Sequence, residues 1–358
     1  MNNRYCVIMC GGVGSRFWPY SRTNLPKQFI DFFGTGRTLL QMTYDRIKQL
    51  VPETNIILVT NHKYETLIHE QLPEIDDSRI LYEPARRNTA PCIAWAAYHI
   101  NAINPNAVMM VAPSDHLILK EKQYFESIER GFEFLKANDV LLTLGIQPNR
   151  PETGYGYIQV GEKIGEQVNK VKTFTEKPDL ELAKVFLSTG EFLWNSGMFL
   201  WSVGAIMKAL RTYASQISDY FDRGIEYFGT EKEAEFIDSV FPACPNISID
   251  FAVMEQAPNV YVESVDFGWS DLGTWGALYE NSPKSIDGNV TQRCKTLMIN
   301  SKNNIIAVKH DKLVLVSGLN DYIVADAGDV LMIVPQDEEQ KVRLYVNEVR
   351  SKYGDEYM

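Results

Sequence analysis

The densest chemistry in the chain lies close to its start, in Gly11-Gly12-Val13-Gly14-Ser15-Arg16-Phe17-Trp18-Pro19-Tyr20-Ser21-Arg22, followed by Pro26-Lys27-Gln28-Phe29. Glycines placed after an apolar run let backbone N–H groups approach a phosphate closely. Arg16, Arg22 and Lys27 add positive charge, and no acidic residue lies between Gly11 and Ile30. In a chain of formal net charge -11, this local excess of cations suits an anionic ligand. The same residues could also form a strand-to-helix turn whose cations face solvent. Two familiar phosphate sites are excluded by spacing. The third glycine of the dinucleotide fingerprint G-x-G-x-x-G is replaced by Phe17, and no G-x-x-x-x-G-K-[ST] is present.

Carboxylates able to hold a cation come from two distant places. Val111-Ala112-Pro113-Ser114-Asp115-His116 ends a predicted central strand, where ligands gather in open α/β sheets. Asp115 there suits Mg²⁺, which takes one or two carboxylates together with phosphate oxygens. Asp271, in Gly268-Trp269-Ser270-Asp271-Leu272-Gly273, is by itself equally a turn or cap residue, and spacing alone does not join it to Asp115. Glu83-Pro84-Ala85-Arg86-Arg87-Asn88-Thr89-Ala90-Pro91 forms a polar loop before a helix. Asn88 and Thr89 suit a helix cap, and Glu83 is an acceptor able to meet base N–H groups. Three further segments combine Gly or Pro with groups that can read hydroxyls: Pro151 to Tyr157, Phe174 to Pro178 and Leu193 to Phe199.

In their order and content these blocks resemble the nucleotide-sugar pyrophosphorylases. Trp18, Ser21-Arg22 and Pro26-Lys27-Gln28-Phe29 resemble the mannose-1-phosphate guanylyltransferase branch in particular. The resemblance spans about residues 5–280 and continues more loosely beyond. It implies transfer of GMP from GTP to mannose 1-phosphate, with Mg²⁺ as cofactor. Gly11, Gly12, Gly14, Ser15 and Arg16 would then hold the triphosphate, and Lys27 would neutralise developing charge. Asp115 and Asp271 would share one Mg²⁺, and Glu83, Asn88 and Thr89 would belong to the nucleotide site. Gly156, Glu176 and Asn195 would hold the sugar, and Lys177 its phosphate. Ser15 stands where the family commonly has Thr, and Phe251 where Tyr is frequent, which weakens Asp250 as a site residue. His116 reads as structural, because a sugar phosphate is already an anionic nucleophile. Some relatives carry an additional cupin-type isomerase domain; the chain stops before one, so a monofunctional enzyme is expected.

The elements that must position these residues follow from hydrophobic patterning. Apolar runs at Tyr5 to Cys10, Ile56 to Thr60, Ala107 to Ala112 and Val140 to Gly145 alternate with helical patterns such as Leu39 to Leu50 and Ala90 to Ile103. That order predicts a Rossmann-like α/β domain with a mostly parallel sheet flanked by helices. From Gly154 to Val160 the period becomes two, so the sheet is expected to turn mixed. Helices are expected again at Leu180 to Ser188, Val203 to Arg211 and Glu231 to Phe241. After about Asn281 helices are expected to vanish. Short strands at Asn304 to Lys309, Leu313 to Ser317, Tyr322 to Ala325 and Val330 to Pro335 predict a small all-β tail resembling a partial β-helix. The expected domains are residues 1–283 and 284–358.

At 358 residues, with 45% apolar and 23% charged side chains, the chain can bury a large core. The negative charge argues against nucleic acid or anionic membrane as partners. With no apolar run long enough to span a bilayer and no leader, a cytoplasmic location is expected. Five scattered cysteines lack metal or disulfide spacing and are expected to be reduced and mostly buried. The β tail suggests a homodimer. The competing readings are another sugar 1-phosphate or base, a catalytically silent sugar-nucleotide-binding regulator, and an NAD-dependent dehydrogenase, the last disfavoured by the glycine spacing.

Overall fold

A computed structural model describes residues 3–308 and 312–358. Its first part alternates strands and helices: β1 (Arg4–Cys10), α1 (Leu39–Ile47), β2 (Ile56–Asn61), α2 (Glu65–Gln71), β3 (Ile80–Glu83), α3 (Thr89–Ile103) and β4 (Val108–Pro113). The chain continues through β5 (Leu117–Ile118), α4 (Glu121–Leu135), β6 (Leu141–Ile146), β7 (Tyr157–Lys163), β8 (Val168–Thr175), α5 (Leu180–Thr189) and β9 (Phe192–Ser202). Helices α6 (Val203–Tyr213), α7 (Ser215–Asp222) and α8 (Glu233–Val240) follow, then β10 (Val260–Val265), β11 (Trp269–Ser270) and α9 (Trp275–Glu280).

Nine strands of the described residues form one sheet in the order β3-β2-β1-β4-β9-β6-β10-β8-β7. Strands β1 to β4 are mutually parallel, β9 runs antiparallel between β4 and β6, and β8 runs antiparallel to β10 and β7. Seven of the nine strands therefore point one way, so the mixed, mostly parallel α/β reading holds. Both faces of the sheet are covered, which explains the nearly continuous apolar strands. Within β1, Tyr5 and Val7 pack toward Trp95, Trp201 and Phe221, whereas Cys6, Ile8 and Cys10 pack toward Tyr44, Tyr124 and Phe132. This is the period-two alternation of a strand buried on both faces.

The tail holds β12 (Val290–Gln292), β13 (Lys295–Ile299), β14 (Ile305–Val308), β15 (Leu313–Ser317), β16 (Tyr322–Asp326) and β17 (Leu331–Pro335). Strands β12, β14 and β16 stack in parallel, as do β13 and β15, giving the rungs of a short β-helix. Lys309, the end of one expected strand, lies outside the described residues. The expectation that helices vanish after Asn281 is corrected: α10 (Val342–Tyr353) follows β17. Its helical stripe is thin, with Val342 the one buried residue, and its apolar side is covered in part by distant residues including Phe17, Trp18 and Tyr20. Short-range periodicity therefore understates it.

A buried asparagine joins the rungs. Asn304 Nδ2 donates to Asn289 Oδ1 (2.9 Å) and to the Leu319 carbonyl (2.8 Å), and Asn304 Oδ1 accepts from the Tyr322 N–H (3.0 Å). Removing that amide leaves buried backbone groups on the neighbouring rungs unpaired. Asn304→Ala is expected to cost about 2–3 kcal/mol, read as a lower denaturant midpoint, whereas an unchanged midpoint would show that the ladder contributes nothing.

Candidate active site

The loops that carry the chemistry leave one rim of the sheet. The glycine turn follows β1, the Ser114–His116 loop follows β4, and Glu83 is the last residue of β3. Asn195 reaches the same rim because β9 runs antiparallel there, pairing Gly145 at the end of β6. Gly14 adopts φ 70°, the left-handed region, and a Cβ there would lie 2.6 Å from the Cβ of Lys27. Glycine is therefore required both by the backbone and by the lysine stem packed against it.

Lys27 is 4% exposed and sits at the centre of the rim. Its Nζ contacts Asp115 Oδ2 at 2.9 Å and donates to the backbone carbonyls of Asp271 (2.6 Å) and Leu272 (3.2 Å). Three acceptors match the three donors of a lysine. The contact thus joins Asp115 to Asp271, which spacing could not do. Burial raises the Asp115 pKa, but the Lys27 charge and hydrogen bond outweigh it and hold the carboxyl below its ordinary range. Asp271 Oδ1 accepts from the Tyr155 hydroxyl (2.5 Å) and the Gly273 N–H (2.9 Å), leaving Oδ2 without a hydrogen-bond partner among the described residues. Burial, helped by the Asp271 carboxylate, pushes the Tyr155 hydroxyl well above the usual phenol range, so it stays a donor.

His116 accepts at Nδ1 from the Trp269 indole N–H (3.1 Å), and burial lowers its pKa. A ring nitrogen that accepts carries no proton, so His116 is neutral and fixed against Trp269. That geometry agrees with a structural role. Cys10 is buried, and burial pushes its thiol up to about 12, which removes it as a nucleophile.

Beside the clamp opens a cavity of about 430 Å³, lined by Gly11, Gly12, Glu83, Asn88, Thr89 and Asp115 among others. Glu83 is 6% exposed and its Oε1 has no partner. Burial, only partly countered by Cys92 and Arg86, raises its pKa to about 8. Asn88, at φ 66°, caps α3 by accepting from the Thr89 N–H (2.9 Å), and Thr89 Oγ1 accepts from the Ile249 N–H (2.9 Å). Both side chains are thus engaged in holding the wall of the cavity.

On the other side of Asp271, Glu176 Oε2 is buried without a partner, and it lies 2.4 Å from where a Cβ on Gly156 would sit. Gly156 is the gap that admits this carboxylate. Asn195 Nδ2 donates to Asp250 Oδ1 (2.8 Å), which returns Asp250 to the site despite its neighbour Phe251. Burial, then repulsion from Glu176, raises the Asp250 pKa to about 6. Lys177, at φ 45°, pairs with Glu176 Oε1 and is otherwise exposed. Arg16 extends past Gly154 and Gly273 toward the Asp271 loop. Arg22 departs from expectation: its guanidinium binds Asp329 through two bonds of 2.7 and 2.6 Å and is therefore structural. Sequence reasoning gave Tyr155 no role of its own, because its partner lies 116 residues away.

Known proteins resemble this chain over nearly its whole length. Residues 5–288 match the family model described as nucleotidyl transferase, and residues 295–349 match that of the MannoseP isomerase/GMP-like β-helix domain. An Escherichia coli mannose-1-phosphate guanylyltransferase is 36% identical over 359 residues, covering 97% of this chain and 73% of that protein. The crystal structure of a Thermus thermophilus protein named mannose-1-phosphate geranyltransferase superposes with a TM-score of 0.87 at 28% identity, covering 97% of this chain and 99% of the other. A Helicobacter pylori protein named mannose-6-phosphate isomerase superposes with a TM-score of 0.60 at 27% identity, covering 75% and 99%.

The Glu83 carboxyl gives a pH signature. Its folded pKa is raised, so its contribution to stability is fully present below about pH 4.5 and is lost as pH rises through about 8. Glu83→Gln is expected to flatten this loss and to stabilise the fold at pH 8 by about 2–4 kcal/mol. Denaturation midpoints of both proteins across that range test it, and parallel pH profiles would contradict it.

Proposed function

Because the chain belongs to the nucleotidyl transferase family, in its mannose-1-phosphate guanylyltransferase branch, we propose that it transfers GMP from GTP to mannose 1-phosphate, giving GDP-mannose and pyrophosphate. The observation that carries this reading is the Lys27 clamp, which joins Asp115 to the Asp271 loop, together with the two buried carboxylates Glu83 and Glu176 that each keep an unpaired oxygen. Glu83 faces the 430 Å³ cavity, where a purine offers N–H donors, and Glu176 lies where a hexose offers hydroxyls. Gly11, Gly12, Gly14 and Ser15 present backbone to the triphosphate between them. Lys177, Asn195 and Gly156 complete the sugar-phosphate side.

Asp115 and Asp271 are the residues that would hold Mg²⁺. The unpartnered Oδ2 of Asp271 fits that role, and among the described residues no three acidic, His or Cys side chains form a separate cage. Two carboxylates completed by phosphate oxygens are the donor set Mg²⁺ takes with nucleotides. When bound, the ion neutralises charge at the α-phosphate. In the reaction, an oxygen of mannose 1-phosphate attacks the α-phosphorus in line, one P–O bond forms, and the bond to pyrophosphate breaks. The nucleophile is already an anion, so no general base is required, in keeping with the neutral His116. Lys27 and Arg16 stabilise the charge that develops as the bond breaks.

The same reading assigns the chemistry to residues 1–283 and an assembly role to residues 284–358, a division supported by the two family models. Leu297 and Leu315 are register neighbours, and with Leu313 they leave an exposed apolar surface that supports pairing of two copies.

Pyrophosphate release from nucleoside triphosphates crossed with sugar 1-phosphates tests the substrates. Release is expected with GTP plus mannose 1-phosphate and to be abolished by chelator; release with another pair would move the specificity, and none would leave a silent binding protein. Asp115→Asn and Asp271→Asn are each expected to lower kcat by about 100-fold to 1000-fold at an unchanged Tm; wild-type turnover would remove that residue from the centre. Leu315→Glu is expected to convert dimers to monomers in sedimentation, and a wild-type protein that sediments as a monomer would overturn the pairing.

A further inference from the structure

Each aspartate of the proposed metal pair has one oxygen held by the chain and one left over. Asp115 Oδ2 meets the Lys27 ammonium at 2.9 Å, and its Oδ1 lies 3.9 Å from His116 Nε2, beyond hydrogen-bond range. Asp271 Oδ1 accepts from the Tyr155 hydroxyl (2.5 Å) and the Gly273 N–H (2.9 Å), while Oδ2 has no hydrogen-bond partner among the described residues. Gly273 belongs to the same loop as Asp271, so its bond is internal to that loop. Tyr155 ties the carboxylate to a different part of the chain.

The tyrosine is itself held from several sides. It is 9% exposed, and its ring meets those of Trp194 and Trp269 edge-on, with centroids 5.2 and 5.1 Å away. Trp269 is fixed in turn: its indole N–H donates to His116 Nδ1 (3.1 Å), and its backbone pairs with Ile118 where β11 meets β5. Direct contacts therefore run from Asp271 through Tyr155, Trp269 and His116 to the residue beside Asp115. Lys27 acts separately, on the carbonyls of residues 271 and 272, and does not touch the Asp271 carboxylate.

The main chain at the same tyrosine belongs to the sugar side. The Tyr155 carbonyl accepts from the Lys177 N–H (3.2 Å), and the Gly156 carbonyl accepts from the Asn195 N–H (2.8 Å). Packing against the two tryptophans needs only the ring, which phenylalanine would also supply. The buried hydroxyl costs desolvation unless it is paired, and its partner is Asp271.

We propose that Tyr155 is a positioning residue whose hydroxyl sets the rotation of the Asp271 carboxylate and presents Oδ2 to the divalent cation, an assignment that rests on the reading of Asp115 and Asp271 as the Mg²⁺ carboxylates. A carboxylate turns easily about its last torsion, which is broad and two-fold. A second donor on Oδ1, arriving from another segment, selects one orientation. Through its backbone, Tyr155 also keeps that carboxylate in register with Lys177 and Asn195, so the metal side and the sugar side are joined at one residue.

Mn²⁺, which suits the same oxygen donors as Mg²⁺ and whose free ion is read by electron paramagnetic resonance, is the probe. It is titrated into the full-length wild type, Tyr155→Phe, Asp271→Asn and the double variant, and the Mg²⁺ concentration for half-maximal pyrophosphate release is measured alongside. Tyr155→Phe is expected to weaken Mn²⁺ binding about ten-fold or more and to raise the half-activating Mg²⁺ concentration similarly, the usual loss when the outer partner of a metal ligand is removed. In the Asp271→Asn background the same change is expected to add nothing, because the two residues act as one unit. A tyrosine that merely packs would lower Tm and leave both metal readouts at wild-type values, and that result would overturn the proposal, as would equal losses in the two backgrounds. A wild type that binds Mn²⁺ no better than Asp271→Asn would remove the metal pair and the proposal with it. If the wild type releases no pyrophosphate with any substrate pair yet Tyr155→Phe still weakens Mn²⁺ binding, the reaction assignment fails and the positioning role stands.

Discussion

The buried lysine at the centre of the rim is the constraint on which the rest of the site depends. An ammonium group removed from water must have each N–H paired, and Lys27 finds Asp115 and two consecutive backbone carbonyls at residues 271 and 272. Those carbonyls point inward only because Leu272 takes φ 44°, a conformation that costs a non-glycine residue about 1–2 kcal/mol. The strain persists because the lysine bonds and the complete burial of the Leu272 side chain oppose its release. One side chain thus fixes the separation of two loops that begin 156 residues apart, from Asp115 to Asp271.

The sheet makes that arrangement accessible. Parallel strands β1, β3 and β4 deliver the glycine turn, Glu83 and Asp115 to one rim, as connections in a parallel sheet require. The antiparallel insertion of β9 between β4 and β6 brings Asn195 to the same rim from the opposite chain direction. The proposed base, phosphate and sugar contacts can then share one edge without any long excursion of the backbone. Each end of the trough carries a buried carboxylate with an unpaired oxygen, Glu83 and Glu176, and both are groups that gain most when a donor arrives.

Much of this was legible before the structure. The glycine turn, Lys27 and Asp115 stood out because local composition carries their signal: glycines after an apolar run, cations without acids, and a carboxylate at a strand end. Other features were not legible, and for a common reason. Asp271 reads as a turn residue until Lys27 reaches its carbonyl, and Arg22 reads as a phosphate ligand until Asp329, 307 residues away, captures it. In sequence, strand β9 reads only as a polar sugar-binding block, although Phe-Leu-Trp and Met-Phe-Leu-Trp flank its polar centre, because Asn195, Ser196 and Gly197 interrupt the pattern. Gly197 at φ 70° marks the irregularity that lets these polar residues sit within a strand. Helix α10 has too narrow an apolar stripe to declare itself locally and is stabilised by packing against the motif at the other end of the chain.

Charge pairing then separates scaffold from ligand contacts. Beyond the Lys27 clamp, Arg22, Arg293 and Arg350 each meet a carboxylate within the chain, Arg293 through Asp31 at 3.2 Å. Such cations are already satisfied, and a phosphate could recruit them only by breaking an existing pair. Arg16, Arg86 and Arg343 have no carboxylate partner among the described residues. An unpaired cation at a partly enclosed surface lowers its energy most by accepting an external anion. These three lie on different segments: Arg86 and Arg343 line a cavity between the glycine turn and α10, whereas Arg16 extends past Gly154 and Gly273 toward the Asp271 loop. In an acidic protein the anion site is defined less by how many cations approach it than by which of them the fold has left without acids.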